Sequence, residues 1–166
     1  MNPEATATAR TRFRIRDLLA MVIGYGMASI FVRAFWPEDP PPTRLFVPAI
    51  VAYLWLGLAM SGPILLGRTT DVTHPRTWAE WAWLFVGVYW IVLGLFVIPA
   101  RLREFGPADV LIFGLVPIAA AVGFRLIGPT PGPADSPGWT HRAGVWLLAT
   151  WPVAWSCLVY AVAGLK

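Results

Sequence analysis

The chain has one cysteine, Cys157, and that absence of partners excludes a disulfide framework within it. It has one lysine, the last residue, against twelve arginines, and only nine acidic residues. Charged residues are 13% of the chain, about half the usual share of a soluble domain. No acidic residue and no histidine falls in the interior of the long apolar runs; Asp109 stands at the edge of one. That argues against a proton relay, a carboxylate-coupled pump or an intramembrane aspartyl protease, each of which needs a titratable group at membrane depth. There is no GxGxxG, no P-loop, no HExxH and no paired CxxC, so neither nucleotide chemistry nor a zinc site is indicated. Ser61 lies in Met-Ser-Gly-Pro, which lacks the GxSxG form of a hydrolase nucleophile.

What is present is apolar. Hydrophobic residues are 57% of 166, and mean hydropathy is +0.62. A globule of this size buries only about two-thirds of its unfolded surface, so water cannot be its solvent. The composition therefore implies an all-α integral membrane protein. Five runs approach the roughly 20 apolar residues that a crossing needs: Leu18–Trp36, Leu45–Leu66, Trp81–Ala100, Asp109–Ile127 and Ala143–Leu165. They define one transmembrane domain, 18–166, preceded by a basic head, 1–17. The loops between them are too short to fold into a soluble domain. Pro37 and Pro40 to Pro42 separate the first two runs, and the loop 128–142 is rich in Pro and Gly. The fourth run carries Pro117 at its middle. A kinked span is expected there, with neighbouring helices serving the carbonyl that proline leaves free. The alternative is four spans with 109–127 re-entrant.

Arginine placement gives orientation. With the N-terminus inside, the inner rim holds Arg10, Arg12, Arg14, Arg16, Arg68, Arg76, Arg125 and Arg142. The outer rim holds Arg33, Arg44, Arg101, Arg103 and Lys166. The expectation is a multi-pass protein with its N-terminus inside and C-terminus outside. The Arg-over-Lys and Ala/Gly/Pro bias fits a GC-rich bacterial genome, hence a bacterial cytoplasmic (inner) membrane. Gly26-Met27-Ala28 has the form of a cleavage site, but apolar residues continue to Trp36, so the first run reads as a signal anchor.

In the head, Arg10, Arg12, Arg14 and Arg16 alternate with Thr11, Phe13 and Ile15, a pattern suited to anionic lipid headgroups and not to nucleic acid. The stretch Arg12-Phe-Arg-Ile-Arg-Asp-Leu-Leu19 resembles the head of small uncharacterised membrane proteins of planctomycete-type bacteria, a resemblance that implies no activity.

Arg33 and Arg125 lie close enough to span ends to snorkel to the headgroups, the first reading for either; the sharper one is two ion pairs across the rims, Arg33 with Asp109 and Asp17 with Arg125, tying the first span to the fourth. His74 and His141 each lie near an acid, Asp71 and Asp135, without metal-site spacing, so no metal and no cofactor is expected. Small residues recur at helical spacing in Ala20, Gly24 and Ala28, in Gly57 and Ser61, and in Ala119 and Gly123. Such stripes serve close packing inside the bundle or against another membrane subunit. Gly67 to Trp78 and Gly128 to Trp139 share one separation, read as coincidence in the absence of wider similarity.

Ten tryptophans remain. Trp36, Trp78, Trp81, Trp83 and Trp139 sit at span ends and read as an interfacial belt. Trp55, Trp90, Trp146, Trp151 and Trp155 lie within spans. Inward-facing Trp90, Trp146, Trp151 and Trp155, with Pro117, form a candidate site for a flat apolar ligand. Trp36-Pro37, Pro40 to Pro42, Phe46-Val-Pro48, Tyr53 and Gly57 resemble the entry to the second helix of the tryptophan-rich sensory, or translocator, family. That family's Asn-Trp-Ser stretch is missing, and only Pro152 and Trp155 echo its ending. Subtraction leaves a non-enzymatic accessory or scaffold subunit as the first expectation. A membrane binder or transporter of a flat apolar molecule is the second.

Overall fold

The computed structural model describes residues 15–35, 43–67, 76–97, 107–129 and 138–163. They form five helices and, among the described residues, no strand: α1 Ile15–Phe35, α2 Thr43–Gly67, α3 Trp78–Val92, α4 Pro107–Ile127 and α5 Trp139–Ala163. A π-helical turn, Leu93–Val97, prolongs α3. Four helices are long and apolar enough to cross a membrane, within Ile15–Arg33, Phe46–Gly67, Trp78–Leu95 and Trp139–Tyr160; the apolar part of α4, Ile112–Ile127, is shorter.

Helix starts follow local chemistry. Thr77 caps α3: its Oγ1 accepts the Glu80 N–H at 3.4 Å, and Glu80 Oε2 accepts the Thr77 N–H at 3.0 Å. This reciprocal Thr-x-x-Glu box starts α3 one turn before the expected Trp81. Helix α4 opens on Pro107, whose missing N–H costs nothing at a first helical position. The matched Gly–Trp spacings mark equivalent boundaries: α2 ends at Gly67, Gly128 follows α4, and Trp78 and Trp139 open α3 and α5.

Helices α2 to α5 form the core, with α2 against α3 and α5, and α4 against α3 and α5. Helix α1 packs along α2. A Cβ on Gly24 would stand 2.7 Å from the Gly57 carbonyl oxygen and 2.7 Å from the Ser61 nitrogen. The two stripes Ala20-Gly24-Ala28 and Gly57-Ser61 thus close on each other, and Ala20, Ala28 and Ser61 are buried. This corrects the expected packing of the first span on the fourth: among the described residues no substantial α1–α4 contact is formed, because the α1 small-residue face is covered by α2. Gly87 allows an equally close approach of α3 to α2, where a Cβ would clash with the Ala59 carbonyl oxygen and the Pro63 ring. The remaining core is aromatic and aliphatic: Trp55, Leu56, Met60, Trp83, Val86, Trp90, Leu147 and Trp151 are all 6% exposed or less.

Candidate functional site: an indole-braced interior

Indoles occupy the middle of the bundle, and most of their N–H groups are spent on neighbouring backbones. Trp83 of α3 donates Nε1–H to the Leu58 carbonyl of α2 at 2.8 Å. Trp55 of α2 donates to the Leu147 carbonyl of α5 at 3.0 Å. Trp151 of α5 donates to the Gly114 carbonyl of α4 at 3.0 Å. Tyr89 of α3 donates its hydroxyl to the Phe113 carbonyl of α4 at 3.0 Å. These four bonds link α3 to α2, α2 to α5, α5 to α4 and α3 to α4, a closed circuit through the core helices. In hydrocarbon such a donor has no water to turn to, so each bond fixes one helix face against another.

The prolines explain the positions on α4. Pro117 is buried and has no N–H to offer the carbonyl one turn back, which is that of Phe113. Tyr89 supplies the donor instead, and Trp151 bonds the next carbonyl, Gly114. Two other braces fall in the turn ahead of a proline. In α2, Leu58 precedes Ser61 and Pro63; in α5, Leu147 precedes Thr150 and Pro152. Each leucine carbonyl also receives the hydroxyl three residues on, from Ser61 at 2.7 Å and from Thr150 at 3.3 Å.

Ring packing gathers the expected ligand-site residues in part. Trp151 lies 5.1 Å from Trp155 and 5.8 Å from Trp90 between ring centroids, and Trp90 lies 6.2 Å from Trp155. Trp55 stacks at a tilt on Trp151 at 4.3 Å, and Phe31 of α1 meets Trp90 edge-on at 5.7 Å. The position of Trp155 depends on Gly114, where a Cβ would overlap the Trp155 ring. Trp146 does not belong to this group: it is 68% exposed, whereas Leu147 and Trp151 of the same helix are buried. Trp83 is not part of an interfacial belt: it is fully buried, edge-on to Trp139 at 6.3 Å. The clue was its neighbour, since Gly62 leaves the space its ring fills. Trp90 differs from the other core indoles. Its Nε1 is buried and has no acceptor. The π turn begins at Leu93, about one helical turn beyond Trp90, and includes Gly94, against which Phe31 rests.

Comparison with protein-family models, curated proteins and solved structures finds no match for this chain.

One end of the bundle is polar. Thr140 of α5 donates its hydroxyl to Glu80 Oε1, and His141 Nδ1 lies 2.8 Å from Thr77 Oγ1. The starts of α3 and α5 are thereby joined. The Trp78 N–H donates to the Pro129 carbonyl at 3.1 Å, which adds the end of α4. Arg76 donates to the Leu66 carbonyl at the end of α2 and stands over the Trp81 ring, 5.1 Å from its centroid. Arg125 stands over Trp78 at 5.9 Å. Asp17 Oδ1 lies 3.7 Å from Arg16 Nε on its own helix. The expected Asp17–Arg125 tie is replaced by these local arrangements, since α1 and α4 do not pack together. Arg33 is exposed at the end of α1, and the Asp109 side chain lies outside the described residues, as do Arg10, Arg12, Arg14 and His74. Among the described residues no group of three His, Cys, Asp or Glu gathers as for a metal ion.

Proposed function

We propose that this chain is a five-span protein of the bacterial cytoplasmic membrane, N-terminus inside and C-terminus outside, serving without catalysis as an accessory or scaffold subunit. The observation that carries the reading is the contrast between small-residue faces. Those of α1 and α2 are consumed by each other, whereas on α4 a Cβ added at Gly123 meets nothing within 4 Å and Ala119 is exposed. The same helix presents Ile112, Leu115, Val122 and Leu126 outward, all more than half exposed. A partner helix lying on that face makes the close approach that Gly24 makes within the bundle. The filled, cross-braced interior supports a structural role over a transport path.

Site-specific photocrosslinkers at Ala119 and Gly123, in native membranes, test this. A discrete protein adduct at both positions, absent at exposed Val88 and lost on Gly123→Ile in the Ala119 probe, is the expected result. Adducts to lipid only, at all three positions, reject the subunit role.

One observation favours a second reading, a binder of a flat apolar molecule. The Trp90 N–H is buried without an acceptor among five aromatic rings, Phe31, Trp55, Tyr89, Trp151 and Trp155. A carbonyl-bearing ring compound inserted beside half-buried Trp155 would satisfy that donor. Saturable quenching of tryptophan fluorescence by a quinone, abolished by Trp90→Phe, is its signature; quenching unchanged by that substitution rejects it.

A further inference from the structure

Two guanidinium groups flank the lipid-facing side of α3, and neither is paired with a carboxylate among the described residues. Arg76 directly precedes the Thr77 cap of α3, bonds to the Leu66 carbonyl of α2, and covers Trp81. Arg125 comes from α4 and covers Trp78, one helical turn away on α3. The acid on the same turn of α3, Glu80, is engaged by the Thr77 N–H and the Thr140 hydroxyl. Beneath the arginines runs an exposed apolar stripe at helical spacing, Trp81 (40%), Phe85 (38%), Val88 (46%) and Val92 (46%). Cations over the first turns of α3, with an apolar stripe continuing along the helix, match the layout of a phospholipid: phosphate at the rim, acyl chain along the helix.

We propose that Arg76 and Arg125 form a binding site for an acidic phospholipid, its phosphodiester held between the two guanidinium groups and an acyl chain laid along Trp81, Phe85, Val88 and Val92. The site rests on the membrane-spanning reading above and adds to it a defined lipid class. The indoles hold both guanidinium groups by cation–π contact, so little freedom is lost when the phosphate binds. The basic head is a separate, diffuse attraction; this site sits on the folded bundle.

The test is lipid retention by the full chain, extracted from nanodiscs of equal parts phosphatidylglycerol and phosphatidylcholine, read by native mass spectrometry. Wild type retains phosphatidylglycerol preferentially. Arg125→Gln, which disturbs no backbone bond described, lowers that preference about fivefold, and Arg76→Gln/Arg125→Gln lowers it further. Arg76→Lys keeps most of it, which separates loss of charge from loss of the Leu66 contact. Excess glycerol phosphate does not displace the lipid if the acyl stripe contributes; displacement by it reassigns the site to a free phosphate compound and overturns the proposal. Preference unchanged in the double variant, or abolished by Arg12→Gln/Arg14→Gln alone, also overturns it. A chain absent from the membrane fraction fails the spanning reading itself, whereas an inserted chain without lipid preference fails only this site.

Discussion

Replacing Tyr89 by Phe, first in the wild-type chain and then with Pro117→Ala, isolates the bond that lets a proline sit inside α4. The phenol donates to the Phe113 carbonyl at 3.0 Å, the carbonyl that Pro117 cannot serve. Phe keeps the ring and its parallel stacking on Phe85, with centroids 6.4 Å apart. The loss is therefore one donor to a carbonyl inside the bundle. Leaving such an acceptor without its partner costs about 1–3 kcal/mol. With Pro117→Ala the backbone N–H at position 117 takes over the carbonyl. Tyr89→Phe should then cost only about 0.6 kcal/mol, the average for an interhelical bond in a membrane protein. The coupling between the two sites is thus on the order of 1 kcal/mol, about fivefold in the unfolding constant. Reversible unfolding in mixed detergent micelles, with all four chains, measures it. Equal losses in the two backgrounds would refute the idea that Tyr89 substitutes for the missing N–H.

Three further outcomes follow from the packing. Gly24→Val, forced against the Gly57 and Ser61 backbones, should destabilise by about 1–3 kcal/mol, while Gly26→Val, which meets nothing within 4 Å, should stay within about 0.5 kcal/mol in the same unfolding assay. Trp55→Phe removes the bond to Leu147 and thins the stack on Trp151, and should cost about 1–3 kcal/mol; Trp146→Phe, at a ring 68% exposed, should be close to neutral. Thr77→Ala breaks the reciprocal cap of α3 and the contact to His141, and should lose about 1 kcal/mol together with amide protection in the first turn, followed by hydrogen exchange.

Hydropathy carries the helical class and the approximate extent of each helix, because apolar length is a property of one segment at a time. Pairing is different. The Gly24 stripe is visible in the sequence, but any helix with a small face suits it, and only the chain's connectivity and the rest of the core choose Gly57 and Ser61. The same limit misplaces Trp83: a tryptophan two residues from an apparent span end resembles a belt residue until Gly62 is seen to leave room for it. The start of α3 was legible, since Thr77-x-x-Glu80 ahead of an apolar run is a capping box; the charge on Glu80 conceals it by breaking the hydropathy run. Pro117 announces an unserved carbonyl, but nothing local says that Tyr89 answers it. The unserved Trp90 N–H has no sequence signal at all, since Trp55, Trp83 and Trp151 in the same core each find an acceptor on a neighbouring helix.

The spanning count and orientation carry the whole reading, and α4 is the segment on which they turn. Reporter fusions placed in turn at Pro41, Thr73, Gly106 and Asp135 measure both at once. The account predicts that Pro41 and Gly106 report the outside and Thr73 and Asp135 the inside. Gly106 and Asp135 reporting the same side would contradict it, making α4 re-entrant and removing the fifth span.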